Sequence, residues 1–197
     1  MDISRAKLRN KLAFEEEVRS DAYYDEVPNE ESERGYLTVG IGHRVDKDTT
    51  RLLGREIKEH DIITPEEIDI LFNDDYETHF MPLTRMEGWD ELPENYKLVI
   101  SDMSWNQGSV LSPTNYKNAY WYYWGWSKAK TPEAKASFLE MFKHELFYSD
   151  PYNNRAENRE YPKQNQTKVL NPKRAKWASQ VPNRWRRNWN IINEGVK

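Results

Sequence analysis

An α+β fold is predicted, with a small N-terminal lobe carrying a β-hairpin, a connecting helix and a larger, mainly helical C-terminal lobe. Three observations predict it. Between Tyr36 and Val45, Leu37, Val39 and Ile41 alternate with Tyr36, Thr38 and glycines, the period of a strand. Thr64-Pro65-Glu66-Glu67 is a strong helix start, with a hydroxyl cap, proline in the first turn and glutamate three residues after the cap. Beyond Pro82 the periodicity is mainly helical. The boundaries fall at about 1–62, 64–81 and 82–197 of a single domain.

Taken in order, residues 4 to about 19 read as a helix, with Leu8, Leu12, Phe14, Val18 and Ala22 on one apolar arc. Glu17 falls on the far side, whereas Glu15 and Glu16 sit at the rim of the arc, where an acid needs a partner. Periodicity nominates both glutamates and does not choose between them. Residues 27–34 form a polar loop, and Gly40 and Gly42 fit a tight turn or close backbone approach in the hairpin. The next helix runs from Thr64 through Ile68, Leu71 and Phe72 toward Phe80 and stops near Pro82. Further helices are predicted at Tyr96–Asn106, Asn115–Trp126, Pro132–Phe147 and Asn183–Ile192. The run Tyr120–Trp126 reads as core packing, and the polar stretch 149–174, with three prolines, as a long surface excursion. A cleft between two lobes is the natural place for a ligand.

Composition narrows the function. Hydrophobic residues make up 37% and charged residues 31%, and the aromatic share of 13% means that rings do much of the work of aliphatics. No run approaches the length of a spanning helix, so no stable membrane insertion is expected. With no cysteine, disulfides and thiolate metal sites are excluded. The four histidines are scattered and form no His-Glu-x-x-His pattern, so no metal or other cofactor is expected. Arg5, Lys7, Arg9 and Lys11 are not followed by an apolar segment, which argues against a secretory signal peptide. The net charge of −4 conceals eight basic and no acidic residues between Tyr161 and Ile192, a face suited to solvent or to an anionic polymer.

Glu16, Asp25 nine residues later and a hairpin bearing Thr38 supply two carboxylates and a hydroxyl, the minimum equipment for cleaving a glycosidic bond by acid/base chemistry. The set Glu16, Tyr23-Tyr24-Asp25 and Gly35-Tyr-Leu-Thr-Val-Gly-Ile-Gly-His43 resembles the phage-type lysozymes of glycoside hydrolase family 24. Three later blocks agree in order: Thr64 to Asp75, Met103 to Gly108, and Trp177 to Arg184 with its Gln180-x-Pro-Asn-Arg184. The resemblance implies a lysozyme-like fold and a muramidase acting on peptidoglycan glycan strands. It selects Glu16 over Glu15 as general acid, with Asp25 steadying the transition state and orienting water and Thr38 holding that water. Such an inverting arrangement implies carboxyl groups about 6.5–9.5 Å apart.

The resemblance also implies that His43 pairs with Asp75 and anchors the hairpin, that Arg184 lies near Glu16, and that Trp105, Asn106, Arg184 and Gln180 face the sugar. A monomer with no nucleic-acid partner is expected. Such an enzyme is made in the host cytoplasm and acts on the cell wall after release through a holin, or from a virion. This chain departs from the family in a longer loop between Asp25 and Thr38, in Arg44 and Val181, and in the 149–174 excursion. Two alternatives keep the fold: a lytic transglycosylase, in which an internal sugar hydroxyl replaces water, and a non-catalytic wall-binding virion module.

Overall fold

Leu8 and Leu12, one helical turn apart, are fully buried and set the inner face of helix α1 (Arg5–Glu16). In the computed structural model, which describes residues 5–25, 33–148 and 182–194, the chain is α+β. The 149–174 excursion, most of the loop after Asp25, and Gln180 lie outside the described residues. Two units divide the chain, one of residues 3–82 and one of 83–197 with 1–2.

In the first unit, α1 is tied to helix α3 (Pro65–Asp75) by the basic residues near its start. Arg5 bonds Asn73 at 3.0 Å and Glu77 at 2.8 Å while covering the Tyr76 ring, and Arg9 bonds Asp69 at 2.5 Å. The helix ends sooner than the apolar arc predicts. Glu17 takes a left-handed φ of +59°, which breaks the helical path after Glu16, and Phe14 and Val18 are left 71% and 51% exposed. Ala22 is buried, as expected, but on a strand.

That strand, β1 (Arg19–Tyr24), pairs antiparallel with β2 (Leu37–Gly40), which pairs with β3 (His43–Arg44). The register sets Tyr23 opposite Thr38 and Val39 opposite His43. The other edge of β1 is covered by residues 60–63: Ala22 N–H donates to Asp61 O at 2.9 Å and Ile63 N–H to Ser20 O at 2.8 Å. Helix α2 (Lys47–Leu53), absent from the sequence-based reading, starts at a reciprocal cap between Asp46 and Thr49 and ends at left-handed Gly54. The predicted cap of α3 is present: Thr64 accepts from the Glu67 N–H at 3.2 Å, and Glu67 accepts from the Thr64 N–H at 2.8 Å. A π segment (Tyr76–Phe80) then leads into α4 (Met81–Thr84). Met81 N–H bonds Tyr76 O, five residues back, so the ladder has already changed where Pro82 would otherwise break it, and the helix runs past that proline.

The second unit holds helices α5 (Glu94–Gln107), α6 (Lys117–Lys128), α7 (Pro132–Phe147) and α8 (Pro182–Glu194). Helices α6 and α7 meet at Gly125, where an added Cβ would lie 2.4 Å from a Phe138 ring carbon; only a missing side chain permits that approach. Trp185 of α8 stacks on Trp189 at 6.0 Å and donates its indole N–H to Phe147 O at 3.0 Å. The aromatic run on α6 divides by face. Tyr122, Tyr123 and Trp126 are buried as expected, whereas Trp121 and Trp124 point outward.

Candidate active site

The first unit brings Glu16 to the hairpin through a glycine. Gly42, in the turn between β2 and β3, has φ +69°, and a Cβ built there would lie 3.2 Å from Glu16 Cγ, Cδ and Oε2. The turn therefore needs glycine twice, for its left-handed backbone and for the carboxyl packed against it. Glu15, the other candidate, is engaged differently. Its side chain is 1% exposed and bonds Lys11 at 3.1 Å, one turn back on the same helix. The two neighbouring glutamates thus part company, one held by a cation and one set against the hairpin turn.

Asp25 and Thr38 are joined through the backbone of a single residue, Tyr36. Tyr36 N–H donates to Asp25 Oδ1 at 3.0 Å, while Tyr36 O accepts from the Asp25 N–H at 3.1 Å and from Thr38 Oγ1 at 3.1 Å. With the Thr38 hydroxyl donating to that carbonyl, its oxygen lone pairs are left to accept from a further partner. Thr38 is 7% exposed, so this geometry is locked by burial.

Tyr23, opposite Thr38 in the register, is a residue that sequence reasoning passed over. Burial pushes its phenol above the usual range, Arg19 opposes this, and the charges of Glu16, Asp25 and Asp21 push it further up. A phenol that feels both candidate carboxylates stays a protonated donor at neutral pH. The signal in the sequence was its place two residues before Asp25. Arg19 covers the Tyr23 ring at 3.8 Å and Arg34 covers Tyr24 at 4.3 Å. Beside them lies an open pocket of about 430 Å³ lined by Arg19, Tyr23, Tyr24, Glu33, Arg34 and Glu59.

His43 is 8% exposed and bonded at both ring nitrogens, Nδ1 to Asp75 Oδ2 at 2.8 Å and Nε2 to Thr49 Oγ1 at 2.8 Å. Thr49 is itself fully buried and belongs to the cap of α2, accepting from the Asp46 N–H at 3.0 Å. Burial opposes ionisation of Asp46, but the Thr49 and Asp48 amides and the Thr49 hydroxyl outweigh it and hold the carboxyl below its usual range. One imidazole thus fastens β3 to α3 and to the start of α2, a structural task that uses both of its nitrogens.

Trp105, Asn106 and Arg184 belong to the second unit. Arg184 is 5% exposed and meets the carboxylate of fully buried Asp102 through two contacts, Nε to Oδ2 at 3.0 Å and Nη2 to Oδ1 at 2.9 Å, with Nη2 also donating to Asp102 O at 3.4 Å. Asn188 Nδ2 adds a third donor to Asp102 at 2.6 Å, and its own buried Oδ1 has no partner among the described residues. With its amide oxygen turned toward Arg184, Asn106 accepts from Nε at 3.2 Å and Nη1 at 2.5 Å. The Arg184 charge is therefore balanced within its own unit, by an aspartate that the sequence reading did not single out. Trp105 is half-buried and Asn106 exposed on the last turns of α5. Among the described residues no group of three or more His, Asp or Glu is disposed to hold a metal ion.

Compared with known proteins, the chain matches no protein-family model and no curated protein.

Proposed function

We propose that this chain is a muramidase of the phage-lysozyme kind, hydrolysing the β-1,4 bond between N-acetylmuramic acid and N-acetylglucosamine in peptidoglycan. One observation carries the reading. Glu16, Asp25 and Thr38, nine and thirteen residues apart in sequence, all engage one hairpin, Glu16 through Gly42 and the other two through Tyr36.

In this reading Glu16 gives its proton to the leaving glycosidic oxygen as the bond to the anomeric carbon breaks. Asp25 accepts from the Tyr36 amide. It faces the positive charge that develops on the sugar and takes a proton from the attacking water. Thr38 accepts one hydrogen of that water, because its own proton already rests on Tyr36 O, and this leaves a water lone pair for the anomeric carbon. The water oxygen ends on the sugar and its proton on Asp25, so the two carboxyl groups exchange states and reset through solvent.

The test is lysis of peptidoglycan by the native chain and by Glu16→Gln, with folding checked by circular dichroism. Loss of roughly 10²-fold or more in rate is expected for a positioned general acid. Equal activity in the two proteins would overturn the proposal. Products with a free reducing end are expected; products lighter by one water would assign the chain to the transglycosylases instead.

A further inference from the structure

Helix α6 carries an outward stripe that the proposed chemistry does not use. Lys117, Trp121, Trp124 and Lys128 are all exposed and recur at the spacing of one helical face, four, three and four residues apart. The two indoles are 43% and 46% exposed, among the largest apolar groups this chain shows to solvent. Their outward placement is not forced by the core, because Tyr122, Tyr123 and Trp126 of the same helix fill it. Exposed indoles side by side lose hydration free energy unless something covers them.

The charge around the stripe points to the kind of surface that does so. From Met103 to Pro132 there is no Asp or Glu, in a chain that has 33 of them, while Lys117, Lys128 and Lys130 fall within that stretch. Glu87, reaching in from an earlier segment, bonds Lys128; Lys117 is exposed at the start of the face, and exposed Lys130 follows two residues after the helix ends. The geometry of the rings narrows the choice further. Trp121 and Trp124 meet edge to face at 5.7 Å and 82°, and Tyr120 meets Trp121 at 6.0 Å and 70°. Rings set at 82° to each other offer a sugar no shared flat platform. What remains is an apolar knob with polar indole edges and lysines at either end, the composition that seats at a lipid headgroup boundary.

We propose that the outer face of α6 adsorbs to anionic phospholipid, with Trp121 and Trp124 entering the headgroup region and Lys117 and Lys130 facing the lipid phosphates. This is surface docking: no helix among the described residues is long and apolar enough to cross a membrane. It stands apart from the muramidase reading, since binding can be measured with no peptidoglycan present.

The experiment is co-sedimentation of the full chain with vesicles of phosphatidylcholine alone, with vesicles containing one quarter phosphatidylglycerol, and with purified sacculi. Binding to the anionic vesicles is expected, with a blue shift in tryptophan emission, falling as salt is raised. Trp121→Ala/Trp124→Ala should abolish both binding and shift while leaving the circular dichroism unchanged, and Lys117→Gln and Lys130→Gln should each weaken binding about fivefold at low salt. Three results overturn the proposal: no partition onto the anionic vesicles, equal partition of the native and doubly substituted proteins, or tryptophan-dependent binding to sacculi without binding to vesicles.

Discussion

The candidate catalytic groups of the first unit and the buried ion pair of the second are held by different means. In the unit of residues 3–82, Asp25 and Thr38 are anchored to the Tyr36 backbone and Glu16 packs close to Gly42. In the unit of residues 83–197 the central polar group is a side-chain pair, Asp102 with Arg184, buried among helices and joined by Asn188. Backbone anchoring transmits the register of a strand directly to a functional oxygen, so a turn residue governs geometry. Side-chain anchoring places a charge in a dry interior, so its partner governs stability. Substitutions in the first unit should therefore disturb function more than folding, and those in the second the reverse.

The largest expected effect lies in the second unit. Asp102→Ala strands the Arg184 guanidinium in the interior and should cost about 3–5 kcal/mol in urea unfolding, the range for half of a buried pair. A loss below about 1 kcal/mol would class the pair with surface bridges and remove the contrast. Next is Gly125→Ala, which drives a methyl into the Phe138 ring and should cost about 1–3 kcal/mol. Phe138→Leu in the same chain should recover part of that loss, and a double-mutant cycle showing no coupling would deny the contact. Smaller still is Gly42→Ala. Its left-handed backbone costs about 1–2 kcal/mol with a side chain, yet lysis should fall further than stability because the methyl presses on Glu16. Activity that tracks only the folded fraction would undo the idea that the turn governs geometry.

The smallest effect is one of pH. Burial pushes His144 below its ordinary value; Glu140 pulls it back up and Lys143 adds to the lowering. The unfolded chain then binds the proton more readily, so this part of the stability is present above the ordinary histidine value of 6.5 and is lost as pH falls through the depressed folded value. His144 rests on the Trp189 ring at 6.1 Å, and His144→Gln should flatten the decline in melting temperature between neutral and mildly acid pH. An unchanged slope would assign that decline to other groups.

How much of this was legible beforehand differs by element. The start of α3 could be read because Thr64, Pro65 and Glu67 act within one turn, and the structure shows their reciprocal bonds. The reciprocal cap of α2 was equally local in Asp46 and Thr49, and its signal was passed over because the short helix behind it has little apolar periodicity. The end of α1 was not legible. Phe14 and Val18 extend the apolar arc in sequence, but the left-handed turn at Glu17 and the pairing of β1 with residues 60–63 outweigh that pattern. In the candidate site, Glu16, Asp25, Thr38, His43 and Asp75 were nominated from sequence, whereas Tyr23, Tyr36, Thr49 and Asp102 were not. Tyr36 acts through its peptide group, which no side-chain motif reports. Asp102 looks like any helical aspartate until Arg184, 82 residues away, is seen to meet it.

Local pattern was enough for the α+β class, the strand at β2 and the starts of α3 and α7, because caps, prolines and alternation act over a few neighbouring residues. Contacts between distant segments settled the rest. They decide that Glu15 is buried against Lys11 while Glu16 meets the hairpin turn, that the α6 rings divide into a core set and an outward pair, and that Arg184 is balanced by Asp102. Each of these depends on what fills the space beside a residue, and chemically similar neighbours in the chain can face quite different surroundings once it folds.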